Sequence, residues 1–128
     1  MRRILLDTQA LLWWLQDAHE LGENARQIIQ QPRNQVVVSA ASLWEISIKQ
    51  AKGLLSVEED LEGLVTDEGF LALPIALFHA QQAGRLPLIH KDPFDRMLIA
   101  QAQAEGCELL TSDGIIPRYG IRVVDARV

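Results

Sequence analysis

Short apolar runs that read as buried strands alternate with segments of helical period along the whole chain, and this alternation constrains the fold more than any other feature. Arg3 to Leu6 reads as a strand, and residues 8–17 then place Ala10, Leu11, Trp14 and Leu15 near helical spacing. A second helix fits 22–31, with Ala25, Ile28 and Ile29 on one side and Pro32 beyond its end. The β-branched run Gln35 to Val38 predicts a strand, and Ser39 is placed to start a helix over 40–52 that Gly53 stops. An acidic helix is predicted over 57–68, a strand from Phe70 to Leu73, and a helix opened by Pro74 and running to about Ala83. Pro93 at a first helical position predicts a helix over 92–105, closed by Gly106, with strands at Glu108 to Thr111 and Ile121 to Val124. Strands joined through helices imply a mostly parallel sheet covered on both faces, an α/β architecture. The length of 128 residues predicts one domain over 1–128 with a core of its own.

In such sheets ligands bind beyond the carboxyl ends of the strands, which directs attention to acids at those places. Asp7 ends the run Ile4-Leu5-Leu6, and Asp113 follows Leu109-Leu110-Thr111-Ser112. Each has a structural reading beside the functional one: Asp7 is also a good helix cap, and Ser112-Asp113-Gly114 is good turn chemistry. Asp95 shares its helical face with Leu98, Ile99 and Ala102, and a carboxylate on a core-facing stripe needs a partner or a cation. The helix dipole also favours an acid at that third helical position. Asp92, before Pro93, reads as the cap of that helix. Glu45 lies on a mixed face with Ala41, Ser42, Ile48 and Lys49, where the structural reading is an exposed pair with Lys49. Gathered in one cleft, Asp7, Glu45, Asp95 and Asp113 would repel one another unless hard divalent cations sat among them, which makes a Mg²⁺ or Mn²⁺ phosphodiesterase the candidate chemistry.

Other features exclude alternatives. No stretch reaches the ~20 apolar residues of a membrane span, the start carries no signal-peptide pattern, and the lone Cys107 has no internal disulfide partner, so the expectation is a cytoplasmic protein. His19, His79 and His90 show no metal-ligand spacing, and no glycine-rich phosphate loop appears. Trp13 and Trp14 are adjacent and point to different sides of their helix, one toward the core and the other exposed at a partner surface. Lys49, Lys52, Lys91, Arg85, Arg96 and Arg118 are candidate phosphate contacts. The net charge of −5 lacks the basic footprint of most nucleic-acid binders, but with four acids assigned to cations the remainder balances to −1, so charge neither supports nor excludes RNA.

Taken together, Leu5-Leu6-Asp7-Thr8-Gln9-Ala10-Leu11-Leu12-Trp13-Trp14, Ser39-Ala40-Ala41-Ser42-Leu43-Trp44-Glu45-Ile46, Lys91 to Ala102 and Leu110-Thr111-Ser112-Asp113 resemble the PIN-domain family. More narrowly they resemble the VapC toxins of bacterial toxin–antitoxin operons, over residues 3 to 125. The resemblance implies a three-layer α/β/α sandwich and a Mg²⁺- or Mn²⁺-dependent endoribonuclease. It also implies inhibition by a cognate antitoxin, and homodimerisation. By position it assigns the catalytic and metal-binding acids to Asp7, Glu45, Asp95 and Asp113, and supporting hydroxyls to Thr8 and Ser112. Two alternatives stay within the family: a module that binds RNA or protein without cleaving, and a processing nuclease that is not a toxin.

Two other acid-rich α/β classes fail on particular residues. A phospho-receiver domain needs paired acids near the first strand and a late lysine, whereas Asp7 is single and no lysine follows Lys91. A haloacid-dehalogenase-like phosphatase needs an Asp where Gln9 stands.

Overall fold

A computed structural model of the chain describes residues 1–57 and 60–128. Five strands, β1 (Arg3–Leu6), β2 (Gln35–Ser39), β3 (Leu71–Leu73), β4 (Glu108–Thr111) and β5 (Val123–Asp125), form one sheet in the order β3-β2-β1-β4-β5. Every pairing is parallel, with Leu5 opposite Val37 on one side and Leu109 on the other. The strands are apolar on both faces, as a doubly covered parallel sheet requires.

Six α-helices provide that cover: α1 (Thr8–Leu15), α2 (Glu23–Gln30), α3 (Ala40–Ala51), α4 (Leu61–Asp67), α5 (Leu77–Arg85) and α6 (Pro93–Glu105). On one face, Ile4, Leu6, Val36, Val38 and Leu110 pack with Leu11 of α1, Ile28 and Ile29 of α2, and Val65 of α4. On the other, Leu5, Val37 and Leu109 pack with Ala83 of α5, Leu98 and Ile99 of α6, and Ile116 from a 3-10 turn at Ile116–Tyr119. Helix α3 serves both cores, through Ile46 on the first and Ala41 on the second. The arrangement is the expected three-layer α/β/α sandwich. No helix among the described residues is long and apolar enough to cross a membrane.

Several boundaries differ from the sequence expectation. Helix α4 starts only at Leu61, where the Asp60 side chain caps the Gly63 N–H at 2.9 Å, and residues 58–59 of the expected acidic helix lie outside the described residues. Pro74 does not open α5. Its carbonyl instead accepts from Gln101 Nε2 at 3.2 Å, and the chain stays extended to Ala76, whose N–H donates to His79 Nδ1 at 3.0 Å. The first helix ends at Leu15 rather than residue 17, because Asp17 adopts a left-handed turn conformation with φ of 50°. Strand β5 begins at Val123, since the 3-10 turn and the left-handed Gly120 occupy the preceding residues. The cap assignments for Ser39, Asp92 and Gly106 match the structure.

The sheet order places the reversal of winding between β1 and β4. From β1 the chain runs outward through β2 to β3, then crosses back to β4 and β5. The carboxyl ends of β1 and β4 therefore flank the crevice where such sheets bind ligands.

Candidate functional site

A cavity of about 330 Å³ opens at that reversal, and its walls carry Asp7, Glu45, Asp95 and Asp113. Asp7 and Asp113 arrive from the ends of β1 and β4. Glu45 arrives from the middle of α3, and Asp95 from the first turn of α6. Thr8, Ser112, Trp13, Lys49 and Arg127 complete much of the lining.

Asp7 is 5% exposed, so its carboxylate depends on internal donors. Its Oδ1 accepts from the Ala10 N–H at 2.8 Å, and its Oδ2 accepts from Thr111 Oγ1 at 2.6 Å. Asp7 is thus both the N-cap of α1 and a wall of the cavity. Burial pushes its pKa from 3.8 up to about 6, against the pull of those two donors, and the charges of Asp113 and Glu45 add to the rise.

Asp95 is raised further, to about 7. Burial is the largest cause, the neighbouring carboxylates Asp92, Asp7 and Asp113 add to it, and His90 opposes it. Its backbone is fixed by Asp92, whose Oδ1 accepts from the N–H groups of Phe94 at 2.8 Å and Asp95 at 3.1 Å. Burial acts upward on Asp113 too, but the hydrogen bonds from His90 and from the Ile115 N–H at 2.7 Å outweigh it and hold Asp113 below its ordinary value. Glu45 reaches Lys49 Nζ at 3.3 Å, the pairing its spacing predicts, while still facing the cavity.

The histidines separate into two kinds. His79 is structural, joining α5 to α6 through a 3.0 Å contact with Glu105. His90, unremarkable in the sequence, bridges the site: its Nε2 lies 2.7 Å from Asp113 Oδ2 and 3.1 Å from Asp95 Oδ2. The Asp92 N–H donates to His90 Nδ1 at 3.1 Å, which leaves Nε2 as the donor of the neutral ring. The segment bearing His90 is held by Tyr119, whose hydroxyl accepts from the His90 N–H at 2.7 Å and donates to the Pro87 carbonyl at 2.8 Å. Among the described residues His90, Asp95 and Asp113 also offer ligand atoms within 4.8 Å of one another. The sequence clue was local: His90 lies five residues before Asp95, in a stretch bounded by Pro87 and Pro93.

The remaining sequence expectations have mixed outcomes. Thr8 lines the cavity, but its hydroxyl donates to Ser42 Oγ at 3.1 Å, joining α1 to α3. Ser112 also lines the cavity, yet the hydroxyl that holds Asp7 belongs to Thr111. Neither Trp13 nor Trp14 is an exposed partner surface. Trp13 is buried, and Trp14 packs against the core beside Phe70. The exposed tryptophan is Trp44, 61% exposed, set edge-on to Phe94. Arg96 is no phosphate contact, since its buried guanidinium donates to the carbonyls of Ala83, Leu86, Pro87 and His90.

The donor set is chemically specific. Four carboxylates line one cavity, two of them raised toward neutrality by burial and mutual repulsion, and hard oxygen donors of this kind fit a hard divalent cation.

Comparison with known proteins agrees with this architecture. The chain is similar to the VapBC2 complex of Rickettsia felis bound to a DNA fragment from its promoter, at 16% identity and a TM-score of 0.68, covering 96% of this chain and 97% of that one. It is also similar to FitAcB from Neisseria gonorrhoeae, at 18% identity and a TM-score of 0.61, covering 96% and 97%. A toxin–antitoxin complex from Klebsiella pneumoniae matches at 19% identity and a TM-score of 0.61, covering 86% of each chain. At these identities the likeness is one of fold. No curated protein matches the sequence. The family model described as PIN domain matches residues 4–121, nearly the whole chain, and the protein belongs to the PIN-domain family.

Proposed function

We propose that the protein is a metal-dependent endoribonuclease that hydrolyses RNA phosphodiester bonds and acts as the toxin of a toxin–antitoxin pair. The observation that carries this reading is the convergence of Asp7, Glu45, Asp95 and Asp113 on one cavity at the reversal of the sheet, with Asp7 and Asp95 raised to about 6 and about 7. Carboxylates with those values would be partly protonated near neutral pH, and a divalent cation restores their charge and removes the repulsion. Asp7, Glu45, Asp95 and Asp113 would hold Mg²⁺ or Mn²⁺. Bound there, the cation supplies the positive charge that acidifies a water nucleophile and offsets charge on the phosphate and leaving oxygen.

The chain's own groups prepare the site. Thr111 and the Ala10 N–H fix both oxygens of Asp7. His90 holds Asp113 and Asp95 at one donor atom, and Asp92 fixes the helix start from which Asp95 projects. No protein nucleophile is required.

The toxin role is supported by the company the fold keeps, since the similar structures include toxin–antitoxin complexes. By that analogy a small antitoxin, offering a basic side chain to the acidic cavity, is the cognate partner, and homodimerisation accompanies it. Co-purification from the native host tests the antitoxin, and recovery of no small partner contradicts it.

Cleavage of total host RNA by purified protein, in Mg²⁺, Mn²⁺ or EDTA, is the primary test. Discrete fragments that vanish with EDTA and with Asp7→Asn support the nuclease. Cutting that persists in a folded Asp7→Asn variant refutes the assigned site.

A further inference from the structure

Two cations line the acidic cavity, and their situations differ. Lys49 is paired with Glu45 at 3.3 Å. Arg127 forms no ion pair among the described residues, and its guanidinium carbon sits 5.7 Å from the centre of the Trp13 ring. Arg127 also lies beyond residues 4–121, outside the part of the chain that the family model matches.

The backbone shows why Arg127 stands there. Ala126 is fully buried, and its N–H donates to the Thr111 carbonyl at 2.9 Å, the residue whose hydroxyl holds Asp7. On the other side the Gly22 N–H donates to the Ala126 carbonyl at 2.8 Å, and the Asn24 N–H donates to the Val128 carbonyl at 3.0 Å. The Arg127 N–H donates to Asp125 Oδ1 at 2.9 Å. This three-residue strap lies directly on Gly22, where an added Cβ would come within 2.3 Å of the Val128 carbonyl carbon and 2.5 Å of that of Arg127. Glycine is required at position 22 for this close approach, its φ of −69° being open to any residue. The strap is therefore clamped between β4 and the start of α2, and the clamp delivers Arg127 to Trp13 and the cavity.

We propose that Arg127, carried on the strap 126–128 and set over the Trp13 ring, is a contact for an RNA phosphate at the mouth of the acidic cavity. The inference rests on the nuclease reading above and adds a substrate-binding residue to it. A polyanion approaching four carboxylates needs a positive group that those carboxylates have not neutralised. A guanidinium offers a planar fork matched to phosphate oxygens, and a cation–π contact with the Trp13 indole favours that position before RNA arrives.

The test is RNA binding in an Asp7→Asn background, which prevents cleavage, using fluorescence anisotropy of a fluorescein-labelled mixed-sequence single-stranded RNA with Mg²⁺ across a salt series. Adding Arg127→Ala is expected to weaken binding roughly fivefold or more and to lower the slope of log K against log salt by about 0.7, one phosphate contact on a single strand. Arg127→Lys should retain the slope with part of the affinity. Gly22→Ala, which leaves the Arg127 side chain intact but displaces the strap that carries it, should reproduce the Arg127→Ala loss. In the cleaving protein, Arg127→Ala should raise KM with kcat little changed. If the Asp7→Asn parent binds RNA and Arg127→Ala binds it with the same affinity and slope, the phosphate contact is refuted while the nuclease reading stands. If the folded parent binds no RNA, the nuclease reading falls and the Arg127 contact with it.

Discussion

The raised pKa of Asp95 has a thermodynamic consequence that can be measured without RNA. Its value moves from 3.8 to about 7 on folding, chiefly through burial. Each pH unit is worth about 1.36 kcal/mol, so a charged Asp95 costs the cation-free protein roughly 4 kcal/mol above neutral pH. The sign follows from proton counts. Between about pH 4 and pH 7 the folded state keeps the Asp95 proton while the unfolded state has lost it, so stability falls as pH rises through that window. Below pH 4 both states are protonated and the effect disappears. Asp95→Asn keeps the shape, retains a carbonyl oxygen to accept from His90, and removes the charge. In EDTA at pH 8 it should therefore stabilise the protein, by roughly 2–4 kcal/mol, with the gain shrinking toward zero near pH 4. Urea denaturation of both proteins in EDTA from pH 4 to pH 8 reads this directly. Adding Mg²⁺ should then narrow or reverse the difference, because wild type alone gains the full linkage to a cation bound by the folded state. An Asn variant destabilised at pH 8, or a difference flat across that pH range, would refute the argument that burial and neighbouring acids destabilise the charged Asp95.

Three further outcomes follow from individual contacts. Thr111→Val removes the 2.6 Å donor to the buried Asp7 and should destabilise the fold by about 1–3 kcal/mol in urea at neutral pH, whereas Thr111→Ser should lose much less. His90→Ala frees Asp113 and Asp95 from their shared donor and should weaken Mn²⁺ binding about tenfold or more by calorimetry, and an unchanged affinity would show that His90 plays no part in orienting them. Arg96→Met strips the donors from the carbonyls of Ala83 and Leu86 at the end of α5, and from Pro87 and His90. It should lower stability by roughly 3 kcal/mol, and Arg96→Lys, lacking the guanidinium fork, should not restore it.

What the sequence disclosed, and what it withheld, divides along the range of the interactions. The strands were legible because Ile4-Leu5-Leu6, Val36-Val37-Val38 and Leu109-Leu110 are buried on both faces, which leaves an unbroken apolar run. Caps were legible because Ser39 and Asp92 act on N–H groups two or three residues away. The late starts of α4 and α5 were harder. The Pro74 carbonyl accepts from Gln101, far along the chain, and the Ala76 N–H is taken by the His79 ring, with no Ser, Thr, Asp or Asn at the cap, so the extended stretch after β3 lacks both a local partner for Pro74 and the usual cap signal.

The site shows the same division more sharply. Asp7 could be read as a cap or as a wall of a cleft, and those readings never competed: one carboxylate oxygen caps Ala10 while the other meets Thr111 across 104 residues of chain. Glu45 likewise pairs with Lys49 along its helix and still faces the cavity. Asp7, Asp95 and Asp113 can be named from their local sequence, since each sits at a strand end or a helix start, whereas Glu45, on a mixed helix face, is singled out only by the family resemblance. What brings them together is topology. Asp7 and Asp113 are neighbours because β1 and β4 are, and β4 pairs with β1 only after the chain has built β2 and β3 on the opposite side and crossed back. That crossing also carries His90 into contact with Asp113, and the strap after β5 sets Arg127 against Trp13. Arg127 has no pattern of its own in sequence, and the one trace of His90 is its place five residues before Asp95. The groups that tune the acids are thus the least legible part of the site, because their position is a property of the sheet order and not of the segments that hold them.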